Sequence, residues 1–170
     1  MGGGVSLQTA IRHPAVVRKL VVMSAPCKYE GWHAEITASA NSMNAAAAAA
    51  MEGTPMYEAY ASSAPRPEDW PLLVTKMGEM MSRPYDWTAD VAAMEAPTLI
   101  VVGDADFVRL DHAFDMYRLL GGGEVDVQGT LPASQLAILP GTNHYTTFAR
   151  VDLLLPIVTS FLEAPVPEEA

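Results

Sequence analysis

Three short apolar runs stand out along the chain: Lys19-Leu20-Val21-Val22-Met23, Thr98-Leu99-Ile100-Val101-Val102 and Gln135-Leu136-Ala137-Ile138-Leu139. Each has strand length, and Lys19 to Met23 is a continuous apolar run with β-branched residues, the pattern of a strand covered on both faces. Each also ends on turn chemistry: Ser24-Ala25-Pro26, Gly103-Asp104-Ala105-Asp106 and Pro140-Gly141-Thr142-Asn143-His144. Around them the spacing is helical. A helix over Val5 to His13 is stopped by Pro14, because proline lacks the N–H a helix interior needs and disfavours helical geometry at the residue before it. A second helix over Asp111 to Leu120 ends at Gly121-Gly122-Gly123, where glycine can take the left-handed cap conformation, and Glu124 to Ser134 then forms a loop. A last helix over Phe148 to Leu162 precedes a Pro- and Glu-rich tail expected to fray.

From Cys27 to about Met94 the texture differs, with Ala- and Met-rich stretches broken by Pro55, Pro65, Pro67, Pro71 and Pro84. This reads as a helical insertion, and its run Ala45 to Ala50 favours helix because alanine loses no side-chain entropy there. Met43, Met51, Met56, Met77, Met80 and Met81 would suit an adaptable apolar pocket or plain core packing. Strands alternating with helices imply right-handed crossovers and a parallel sheet with helices on its faces. The expected fold class is therefore α/β, with about three parallel strands, flanking helices and a helical insertion. The expected segments are a first helix and strand over residues 1–26, the insertion over 27–94, a C-terminal core over 95–164 and the tail over 165–170.

Composition narrows the partners. Half of the 170 residues are apolar and 18% are charged, a globular balance large enough for one domain. Ten basic residues face twenty acidic ones, for a net charge of -10, so there is no basic stripe for nucleic acid or for an anionic membrane surface. Neither is expected as a partner. Cys27 is the single cysteine, which excludes an internal disulfide and fits a reducing compartment. The first residues show no basic-then-apolar leader, and no stretch approaches the ~18 apolar residues of a membrane span, so a soluble cytoplasmic protein is expected. No cofactor or metal is called for.

In an open parallel sheet, ligands bind beyond the carboxyl ends of the strands, where loops and helix N-termini converge. Two polar residues occupy that position here. Asp106 lies just past the strand ending at Val102, and His144 just past the strand ending at Leu139. On neighbouring strand ends an aspartate can orient an imidazole that acts as general base.

Longer stretches carry a resemblance. The opening Met1-Gly2-Gly3-Gly4-Val5-Ser6-Leu7 runs through Arg12-His13-Pro14 to Val17-Arg18-Lys19-Leu20-Val21-Val22-Met23-Ser24-Ala25-Pro26. It is similar to the segment after the nucleophile in α/β-hydrolases, where a Gly-x-Ser-x-Gly elbow leads into a helix, a His-Pro stop and a strand. Ala96-Pro97-Thr98-Leu99-Ile100-Val101-Val102-Gly103-Asp104-Ala105-Asp106 resembles that superfamily's Gly-x-x-Asp acid loop, and Leu139-Pro140-Gly141-Thr142-Asn143-His144 resembles its histidine loop. The resemblance spans nearly the whole chain and implies that Asp106, not Asp104, is the acid and that His144 is the catalytic histidine. It also implies that residues 27–94 stand where the superfamily inserts a cap, and that Met1 holds the position after the nucleophile, whose backbone nitrogen helps form the oxyanion hole.

On that match the nucleophile, its strand and the other half of the oxyanion hole stand before Met1. Ser24 and Cys27 are the inner alternatives, but Ser24 lacks a sharp glycine turn and Cys27 suits a buried position, so neither is assigned the role. The implied parent reaction is hydrolysis of a small ester-like substrate by a serine, with His144 relaying the proton and Asp106 orienting it. An aspartate nucleophile stays open. The chain alone is expected to be inactive. Three strands would expose an edge where the nucleophile's strand belongs, which leaves partial folding, self-association through the edge or completion by an N-terminal fragment as outcomes. A reading frame called from an internal methionine, a split enzyme and a non-catalytic small-molecule-binding or interaction descendant are the rival origins.

Overall fold

Strand-forming runs and helical stretches alternate in the computed structural model, which describes residues 1–40, 42–125 and 131–166. In chain order the elements are α1 (Gly2–Arg12), β1 (Leu20–Met23), α2 (Ala34–Ala40), α3 (Ala45–Ala48), α4 (Pro55–Ser63), α5 (Trp70–Met81), α6 (Thr88–Ala92), β2 (Thr98–Ala105), α7 (Leu110–Leu119), β3 (Gln135–Asn143) and α8 (Val151–Glu163). The expected loop over 124–134 and the tail over 165–170 fall partly outside the described residues.

The chain divides into two compact units. Residues 1–32 and 85–170 make one, and residues 33–84 the other. The division lies inside the 27–94 interval because Cys27 and Val91 are fully buried among the residues that cover the sheet.

In the first unit the three strands pair in parallel in the order β1-β2-β3. Leu20 stands opposite Thr98, and Leu99 opposite Gln135. Alternate residues then face opposite sides. Leu20, Val22, Ile100 and Val102 pack with Leu7 and Ala10 of α1, Val91 of α6 and Ala113 and Met116 of α7. On the other side Leu99, Val101 and Leu139 pack against Phe161 of α8, with Leu154, Ile157 and Val158 beside them. Among the described residues α8 is the one helix in that second cluster, and Val21 and Met23 of β1 stay half-buried there. Within the described sheet β1 and β3 are edge strands, each paired along one side.

Three boundaries differ from expectation for tertiary reasons. α1 begins at Gly2 rather than Val5. Glycine is a poor helix former, but a Cβ on Gly3 would stand 2.5 Å from the Ala25 Cβ and 3.1 Å from the Met23 carbonyl oxygen, so the helix can start this close to β1 only without one. β2 and β3 run past Val102 and Leu139 to Ala105 and Asn143, with an irregularity between Gly103 and Ala105. Both oxygens of Asp104 are used there: they accept the backbone N–H groups of Gly141 (2.9 Å) and Thr142 (3.0 Å). The strands therefore stay joined to the position just before His144.

The second unit is helical and centres on Trp70. Its indole donates to the Ala48 carbonyl (2.9 Å), and Tyr57, Tyr60, Val74, Met43, Met51 and Met56 surround it. Those three methionines pack a core. Asn44 caps α3 by accepting from Ala46 and Ala47, and Thr54 caps α4 ahead of Pro55.

Candidate functional site

The C-terminal ends of the three strands converge on one carboxylate. Asp106 follows β2 directly and is 6% exposed, its side chain fully covered. Oδ1 accepts from His144 Nδ1 at 2.9 Å and from the Val108 backbone N–H at 3.3 Å. Oδ2 accepts from the Ser24 hydroxyl at 2.5 Å and from the Gly103 backbone N–H at 3.1 Å. Burial by itself pushes this carboxyl upward, but the hydrogen bonds from His144, Ser24, Gly103 and Val108 favour the charged form and together hold it down at about 2. Asp106 is thus ionised at neutral pH, and an ionised carboxylate only accepts. His144 must carry its proton on Nδ1, and in the neutral ring Nε2 is left with a free lone pair. Among the described residues no side chain hydrogen-bonds to that Nε2.

The loop bearing His144 is tightly specified. Gly141 sits at φ +66°, which glycine tolerates, and the Asn143 side chain accepts from the backbone of Tyr145 and Thr146. Thr147 donates back to the Asn143 carbonyl at 2.7 Å. Aromatic rings fix the imidazole from the sides. Phe107 stacks on it with centroids 4.6 Å apart and planes 7° from parallel, while Trp32 and Tyr145 meet it edge-on. Trp32 is in turn held by Tyr85, whose hydroxyl burial pushes up to about 12 and which therefore stays protonated.

Of the residues singled out in the sequence, Asp106 and His144 are brought together. Asp104 is not part of the pair and instead clamps β3. Met1 is exposed and precedes α1, whose Gly3 packs against Met23 and Ala25 at the end of β1, and no described hydrogen bond or ring contact links Met1 to Asp106 or His144. Cys27 is fully buried, and desolvation pushes its thiol upward, away from the nucleophilic thiolate. Its backbone N–H approaches His112 Nε2 at 3.3 Å, and burial pushes that histidine down, toward its neutral form. Ser24, Asp104 and the rings of Trp32, Phe107 and Tyr145 belong to the site's frame without having been assigned a part beforehand. Ser24 had a visible signal in standing at a strand's C-terminal end. Among the described residues no three His, Cys, Asp or Glu side chains converge as a metal site, and no helix is long and apolar enough to cross a membrane.

No known family profile and no curated protein sequence matches the chain. Solved structures do. A meta-cleavage product hydrolase (CumD) from Pseudomonas fluorescens IP01 is similar at a TM-score of 0.62 and 16% identity, over 94% of this chain and 61% of that one. NosK from Streptomyces actuosus is similar at 0.64 and 17% identity, over 94% and 64%. The enol-lactonase from Burkholderia xenovorans LB400 is similar at 0.59 and 17% identity, over 96% and 63%. At such identities the likeness concerns the fold. The chain has a partial α/β-hydrolase fold, and it spans about three-fifths of the length of these structures.

Proposed function

We propose that this chain carries the acid and the histidine of a hydrolase that cleaves a small ester-like substrate through a serine nucleophile. The observation that carries the reading is the contact between a buried, ionised Asp106 and His144 Nδ1, which leaves Nε2 as the available base. Nε2 takes the proton of the attacking hydroxyl and returns it to the leaving group, while Asp106 holds the ring in one tautomer and balances its transient charge. Two of the similar structures, the meta-cleavage product hydrolase and the enol-lactonase, both of low identity and longer than this chain, support the same direction.

The serine comes from a segment outside these 170 residues. Ser24 spends its hydroxyl on Asp106 and Cys27 is buried as a thiol, so neither competes for Nε2. The head of α1 lies beside the end of β1, where the resemblance puts the oxyanion-binding amide of Met1. Residues 27–94, which include the second compact unit, are the proposed cap. The unpaired side of β1 is the proposed seat for the missing segment, or for a second copy when that segment is absent.

The isolated chain is then inactive. Purified chain and its His144→Ala variant should hydrolyse p-nitrophenyl acetate no faster than buffer; turnover by the chain alone that disappears with His144 would contradict the missing-nucleophile reading.

A further inference from the structure

Ser24 is where β1 stops, and among the described residues it is the one non-glycine at positive φ, 49°. Its backbone N–H still bonds the Val101 carbonyl at 2.9 Å, so pairing with β2 continues into the residue before the chain turns away. Glycine would take this conformation without a Cβ penalty, and serine takes it against one. What serine adds is a hydroxyl, and that hydroxyl, 4% exposed as a residue, points at Asp106 Oδ2 from 2.5 Å. The distance falls in the range of charge-assisted O–H···O⁻ bonds. It is the shortest of the four contacts on the carboxylate, ahead of those from His144, Gly103 and Val108.

We infer that Ser24 is a positioning residue for the Asp106–His144 pair: its hydroxyl anchors Oδ2 so that Oδ1 is presented to the imidazole. The inference rests on the reading of that pair as acid and base given above. A carboxylate turns easily about its last bond, since that torsion has broad, twofold preferences. With Oδ2 pinned by Ser24 just past β1 and by Gly103 in β2, the plane of the group is set from two neighbouring strands at once, and Oδ1 points toward the loop after the third. The strand end, rather than the histidine loop, then decides where the imidazole can dock. The same hydroxyl favours the charged carboxylate that the Nδ1–H needs.

The test needs no turnover. In the full chain labelled with ¹³C and ¹⁵N, the Asp106 carboxyl is titrated by NMR and the His144 Nδ1 proton is followed in parallel, in the wild type, Ser24→Ala and Ser24→Gly. Both variants remove the hydroxyl, and glycine also relieves the positive φ, so Ser24→Gly carries the test if Ser24→Ala does not fold. We expect the Asp106 midpoint to rise by about one pH unit in both, a tenfold gain in proton affinity. The Nδ1 proton should also exchange faster with water. An unmoved midpoint and an unchanged Nδ1 proton in both variants overturn the inference while leaving the pair intact. His144→Ala is the control for the pair itself. If it leaves the Asp106 midpoint unmoved, the reading of the pair fails, and the positioning role fails with it.

Discussion

Four donors on the two oxygens of Asp106 make this carboxylate the most constrained group in the site, and its titration should be visible in the stability of the chain. Its ordinary value of 3.8 falls to about 2 in the fold. A depressed carboxyl stabilises the folded state above its unfolded value and loses that contribution as pH falls through the folded one. The contribution is about 2 kcal/mol, present above pH ~4 and gone near pH 2. Urea unfolding at stepped pH should show this limb, and Asp106→Asn should flatten it. Gly103 supplies a second check. A Cβ there would stand 2.5 Å from the Thr142 carbonyl oxygen and 2.7 Å from its hydroxyl, so Gly103→Ala must force β2 and β3 apart just before the two site residues. We expect a loss of about 1–3 kcal/mol in chemical denaturation, the usual cost of overpacking. Asp106 and His144 could be picked out in the sequence because each lies in the turn just past an apolar strand run, and the resemblance of the flanking motifs chose Asp106 over Asp104. Ser24 stands in the same place, yet its part was hidden, since a left-handed serine and a hydrogen bond across 82 residues leave no local pattern.

At the scale of elements, the strands and the helices flanking them were legible because apolar runs and helical spacing differ in period. Their ends were less so. α1 starts early because contacts across space require bare glycine at Gly3, and β2 and β3 extend because Asp104 bonds the backbone of the neighbouring strand. Both causes are tertiary. α8 shows how much one helix contributes: Phe161, 2% exposed, meets Leu99, Val101 and Leu139 from the sheet. Phe161→Ala should cost about 3–5 kcal/mol, because it leaves a cavity under the helix that covers this face. In the second unit the Asn44 cap should be worth about 1 kcal/mol to α3, so Asn44→Ala should lower the melting temperature slightly and leave the Asp106 titration unchanged.

For the molecule as a whole, a three-stranded parallel sheet with one helix in the described cluster on one face leaves Val21 and Met23 half-covered. Apolar surface and an unpaired strand edge at the same border favour association. Sedimentation of the chain should therefore show concentration-dependent self-association that a complementing N-terminal segment suppresses. The partial α/β-hydrolase fold was legible from three strand ends and the motifs that follow them. Within its described residues the fold puts no hydroxyl on His144 Nε2. The direct measurement is ester hydrolysis by the chain co-expressed with an N-terminal segment bearing the Gly-x-Ser elbow. Turnover should appear, vanish in His144→Ala and fall by about three to four orders of magnitude in Asp106→Asn. Turnover that is indifferent to His144→Ala would contradict the assignment of Asp106 and His144 as the acid and base of a hydrolase.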